Sequence, residues 1–61
     1  MTQHQRRVII RARKQLRLER EDIRIEENPK GLDEGWVTVS VGHRKGRPLA
    51  FDISPEGRVA Y

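Results

Sequence analysis

Sixty-one residues are enough for one small domain, and the chain holds no apolar run long enough for a membrane span or the hydrophobic stretch of a signal peptide. It has no cysteine, which excludes disulfides and thiolate metal sites and points to an intracellular, cytoplasmic setting. The net charge of +4 conceals a division: residues 1–20 carry seven bases against Glu19 alone, a net of +6, whereas residues 21–61 carry six bases and eight acids, a net of −2.

The first element is a helix over about residues 3–19. No Gly, Pro or Asn interrupts residues 2–27, and Arg, Lys, Gln, Leu and Glu dominate its first part. "TQHQ" fits a capping box, with Thr2 accepting from the Gln5 amide and Gln5 reaching back. On a helical wheel Val8, Ile9, Ala12 and Leu16 fall within about 100° of one another, the width of a core-facing stripe. Arg6, Arg7, Arg11, Arg13, Lys14 and Arg17 spread over the far side, where Ile10 and Leu18 also project.

"EDIRIEENPKG" reads two ways. Alternation around Ile23 and Ile25 gives a strand over 22–27, while Ile23 also continues the helical stripe seven residues beyond Leu16. The firm stop is "NPKG", because Pro29 drives Asn28 out of the helical region and Gly31 permits a turn. "GWVTVSV" then gives a strand over about 36–41, with Val37, Val39 and Val41 on one face and Trp36, Thr38 and Ser40 on the other. "GHRKGR" reads as a hairpin tip over 42–47, and "PLAFDI" as a strand over about 48–53 with Leu49, Phe51 and Ile53 together. "SPEG" suits a turn begun by Ser54, and "RVAY" supplies a last strand over about 58–61. The expected fold is α+β: one N-terminal helix packed on an antiparallel meander of three to four strands.

The order of helix, "DIRIEE", "GWVTVSV" and "LAFDISPEGRVAY" resembles small PepSY-type domains, whose helix is followed by a meander ending in an aromatic, an acidic position and a glycine turn before the last strand. Phe51, Asp52, Gly57 and Val59 stand at those places. The resemblance covers nearly the whole chain. It implies a helix-on-meander fold and an interaction or peptidase-inhibiting module, a kind usually found outside the membrane.

The residues themselves offer little for catalysis. His4 and His43 stand apart, the carboxylate pairs Glu21–Asp22, Glu26–Glu27 and Asp33–Glu34 are sequence neighbours whose side chains diverge, and neither Ser40 nor Ser54 has a histidine in a triad order. No phosphate-binding glycine pattern occurs, and so short a chain has little room for a substrate pocket. The expectation is therefore a non-enzymatic module with no cofactor and no small-molecule substrate. Two partner classes fit. A protein partner, or a second copy of the chain in a homodimer, can use Ile10, Leu18 and Trp36, and an edge strand at the end of the meander can extend the sheet. A nucleic acid can use Arg6, Arg13 and Arg17 on the helix with Arg44, Lys45 and Arg47 at the hairpin tip, contacting phosphates without reading bases.

Overall fold

Thr2 and Gln5 open the helix by the expected exchange. In the computed structural model, which describes residues 1–42 and 49–61, Thr2 Oγ1 accepts from the Gln5 N–H at 3.2 Å and Gln5 Oε1 accepts from the Thr2 N–H at 2.8 Å. The helix α1 runs over Gln3–Leu16 and stops earlier than the residue-19 limit expected from composition. Arg17 takes the left-handed conformation (φ 52°, ψ 48°), and the chain closes the helix with the Leu18 N–H on the Arg13 carbonyl (3.0 Å) and the Arg17 N–H on the Lys14 carbonyl (3.4 Å). This is the Schellman pattern, in which the residue after the left-handed one folds back onto the last turn. Leu18 accordingly packs against the core margin, partly buried, while still bordering the basic side beside Ile10. A 3₁₀ turn, Arg20–Asp22, leads into the first strand.

Four strands follow: β1 (Ile23–Glu27), β2 (Val37–Val41), β3 (Leu49–Ile53) and β4 (Val59–Ala60). They form one antiparallel sheet in the order β1-β2-β3-β4. The ambiguous stretch is thus extended from Ile23 onward. Trp36 lies just before β2, and β4 holds only two of the four residues assigned to it by alternation. The register aligns the inward side chains in rows: Ile25, Val39 and Phe51 in one, Ile23, Val41 and Leu49 in the next, Val37, Ile53 and Val59 in a third.

The core consists of Ile9 from α1 with Val37, Val39, Val41, Phe51 and Ile53, and Val8, Ala12, Leu18 and Ile23 pack at its margin. Leu16, the fourth member of the helical stripe, is 42% exposed. It is the last helical residue, and the Schellman turn delivers Leu18, not Leu16, to the core beyond it.

The N-terminal end of α1 is clasped by polar contacts. Gln5 is fully buried, and its Nε2 donates to the Gly35 carbonyl at 2.7 Å and to the Ile53 carbonyl at 3.1 Å. Thr2 Oγ1 donates to the Pro55 carbonyl at 2.7 Å. The turn that receives it is closed by the Gly57 N–H on the Ser54 carbonyl, with the Arg58 N–H on Ser54 Oγ. Gly57 has φ +92°, a conformation that calls for glycine, and a Cβ there would stand 3.1 Å from the Cβ of His4, close enough that the helix would have to give slightly.

Replacing Gln5 by Leu leaves two carbonyls without their donor, and an unsatisfied buried polar group costs about 1–3 kcal/mol. Urea unfolding of Gln5→Leu should show a loss of about 2–4 kcal/mol. The exposed Gln3→Leu should stay within about 0.5 kcal/mol of the parent. Equal stability of the two variants would contradict the clasp.

Candidate functional site

A helix about 10–12 Å across lies on four strands spaced about 4.8 Å apart, so it covers the two central strands and leaves both flanks open. The inward side chains of β2 are buried, whereas Ile25 on β1 and Val59 on β4 are 43% and 40% exposed. Three surfaces result: the outward face of α1, a groove on the β1 side and a groove on the β4 side.

The outward face of α1 centres on Ile10, which is 52% exposed and lines two adjoining depressions. One is shared with Arg13, Lys14 and Leu18, the other with Arg7, Arg11, Lys14 and Gln15. No acidic residue lies in the first turn of α1, and Arg13 and Lys14 occupy its last, which suits the helix dipole at that end. The one ion pair among the described residues joins the Met1 amine to Glu27 Oε1 at 2.9 Å, so none of the helix cations is paired among them. The Glu27 carboxyl is held below the usual carboxylate range, first by the hydrogen bond from the amine, then by its charge, with Arg6 adding to both.

The β1-side groove is lined by Ile9, Arg13, Arg20, Ile23 and Ile25. Arg13 borders both this groove and the depression beside Ile10, and its Nε is buried with no hydrogen-bond partner among the described residues, although the residue as a whole is partly exposed. The β4-side groove runs between Val8, Ala12 and Leu16 on the helix and Leu49, Phe51, Val59 and Tyr61 on the sheet. The Tyr61 ring lies 6.2 Å from that of Phe51, centroid to centroid, at an interplanar angle of 47°. The sheet face away from the helix is polar: Thr38 Oγ1 donates to Asp52 Oδ1 at 2.7 Å, Ser40, Ala50 and Ala60 continue it with small side chains, and Arg24 and Glu26 stand on it at the β1 edge.

The residues singled out from sequence separate on this frame. Ile10 stands at the centre of the basic face, Leu18 at the core margin, and Trp36, partly buried, at the start of β2, where its carbonyl accepts from the Asn28 N–H at 3.0 Å. Arg6 and Arg17 are exposed, and Arg13 is half withdrawn into the β1-side groove. Arg44, Lys45 and Arg47 lie outside the described residues. Sequence reasoning missed two polar groups, the buried Gln5 and the buried Arg13 Nε. The signal for Gln5 was its place within the Val8–Ile9–Ala12 stripe, where a solvated side chain does not belong. Among the described residues no group of three or more His, Cys, Asp or Glu is placed to hold a metal ion, and no helix is long and apolar enough to cross a membrane.

Ile9 and Ile10 are neighbours with opposite surroundings, which a stability measurement separates. Ile9→Ala should cost about 2–5 kcal/mol through the cavity it leaves. Ile10→Ala should fall within about 0.5 kcal/mol of the parent in the same urea titration.

Compared with protein-family models, with curated proteins and with solved structures, the chain matches none.

Proposed function

We propose that the chain is a small non-catalytic binding module, that it docks a macromolecular partner through the outward face of α1, and that the partner is a protein presenting acidic side chains around an apolar contact. The observation that carries this reading is Ile10, exposed in the middle of Arg7, Arg11, Arg13 and Lys14, with no acid paired to those cations among the described residues. A face made only for solubility needs charge and no isoleucine. A phosphate backbone has little use for an apolar side chain at the centre of its contact, whereas a protein surface can bury it while acids meet the surrounding bases. Among the described residues no nucleophile stands next to a base, which supports a role in binding over one in chemistry.

The test is a pair of titrations by fluorescence anisotropy, one with a helical Glu/Leu peptide and one with mixed-sequence duplex DNA, at about 50 and 300 mM salt. Ile10→Glu should weaken peptide binding about tenfold or more, because it removes the apolar contact and adds like charge. Ile10→Ala should weaken it less. DNA binding that is stronger than peptide binding, ignores Ile10→Ala and collapses when Arg6, Arg13 and Arg17 become Ala would replace this reading with the phosphate-contacting one.

A further inference from the structure

β1 is an edge strand whose free backbone groups can be identified from its bonds to β2. At its two ends the Asn28 N–H donates to the Trp36 carbonyl (3.0 Å) and the Gly42 N–H to the Asp22 carbonyl (2.9 Å). With Ile23 opposite Val41 and Glu27 opposite Val37, antiparallel alternation makes the even-numbered positions of β1 the bonded partners of β2. Ile23, Ile25 and Glu27 therefore aim their N–H and C=O groups away from the sheet. The Ile23 N–H is taken by the Arg20 carbonyl. The Ile25 and Glu27 amides meet no partner among the described residues.

The charges on this strand are ordered about its centre. "IRIEE" puts Arg24 and Glu26 on the face away from the helix, one on each side of Ile25, and leaves Ile25 43% exposed on the helix face. Laid antiparallel on a copy of itself with Ile25 opposite Ile25, the strand sets each Arg24 against the other copy's Glu26. A slip of two residues in one direction sets Arg24 against Arg24, and in the other Glu26 against Glu26. A slip of one residue sets bonded positions against free ones and inward side chains against outward ones. A single register thus satisfies backbone, faces and charge together.

We infer that β1 is the seam of a homodimer in which two copies pair β1 with β1 antiparallel, Ile25 opposite Ile25, to make one continuous eight-stranded sheet. Each Ile25 N–H donates to the other Ile25 carbonyl, and each Glu27 N–H to the other copy's Ile23 carbonyl. The two β1-side grooves meet, and Ile25 is covered by its counterpart. The same register brings each Glu27 opposite the other copy's Ile23 on the helix face. Arg13 and Arg20 line that groove with Ile23, and the Arg13 Nε is buried with no acceptor among the described residues. Glu27 then lies among cations of both copies. The other edge offers no such match, since β4 has two residues and its row on the outer face is Ala60 beside Asp52. Because a two-fold axis normal to the sheet keeps both helices on one side, the dimer displays two basic α1 faces in the same direction, which multiplies the strength of any docking there. The seam does not rest on that docking role, as Ile10 lies outside it.

The test uses sedimentation equilibrium of the full chain between about 1 µM and 1 mM, with charge-reversed variants. The parent should show a monomer–dimer equilibrium. Arg24→Glu alone and Glu26→Arg alone each create like-charge pairs at both ends of the seam, and each should raise the dimer dissociation constant about tenfold or more. Mixing the two variants should restore dimerisation as a heterodimer, because every pair is then opposite in sign, and Arg24→Glu with Glu26→Arg in one chain should restore the homodimer. Amide hydrogen exchange of the parent gives a reading that needs no variant: Ile25 and Glu27 should be protected at high concentration and exchange freely on dilution. A monomer at every concentration, a dimer that ignores the single reversals, or variants that fail to rescue one another would each overturn the inference.

Discussion

The carboxamide of Gln5 ties three parts of the chain together, and the orientation of the helix depends on it. Its oxygen serves the first turn of α1, while its nitrogen holds the carbonyls of Gly35, ahead of β2, and Ile53, at the end of β3. Buried polar groups that are fully satisfied specify one arrangement more sharply than apolar contacts, which tolerate sliding. With Thr2 on Pro55 and His4 against Gly57, the N-terminal turn is located between two loops, and Ile9 one turn further on joins the core cluster of the β2 valines, Phe51 and Ile53. A rotation of α1 by one residue would bring Ile10 or Val8 to the centre of the core and move the basic rows from water onto the sheet.

Width then decides what is left over. One helix cannot cover four strands, and the chain handles the two uncovered flanks differently. On the β4 side an apolar groove between Leu16 and Val59 lies open beside a two-residue strand. On the β1 side the strand is longer, its outer face is charged, and arginines stand over its groove. Long edges bearing charges usually resist pairing with other chains. Here the order of those charges makes β1 complementary to itself, so the same residues discourage a slipped register and favour the aligned one. The surplus of cations on the helix and of acids beyond it, visible as +6 against −2, is consistent with both the helix face and the seam serving contacts between molecules.

Much of the architecture was legible in the sequence because it depends on local periodicity. The capping box at Thr2 and Gln5, the alternation of Val37, Val39 and Val41, and the closure of "SPEG" by Gly57 are all short-range signals, and each element stands where they place it. The end of the helix was not legible, because the left-handed position is held by Arg17 and no glycine marks it. From that point Leu18 borders both the basic side and the core margin, and the second contact was not legible, since a helical wheel loses its meaning one residue past a Schellman turn. The double duty of Gln5 was also hidden, because a capping residue predicts contact with its own helix and not with Gly35 and Ile53. Of the surfaces considered for partners, Ile10 was recognisable as an isoleucine on the polar side of the wheel. The self-complementarity of β1 required the pairing with β2, which alone shows which backbone groups face outward.

The arrangement of α1 on the sheet is tested most directly by a nuclear Overhauser spectrum of the chain in solution. Ile9 methyl groups should show contacts to the core side chains of β2 and β3, and the side-chain amide protons of Gln5 should exchange slowly and lie near the Hα protons of Gly35. Contacts from Ile10 instead of Ile9 to those core side chains, or Gln5 amide protons exchanging at the rate of a solvated side chain, would contradict it.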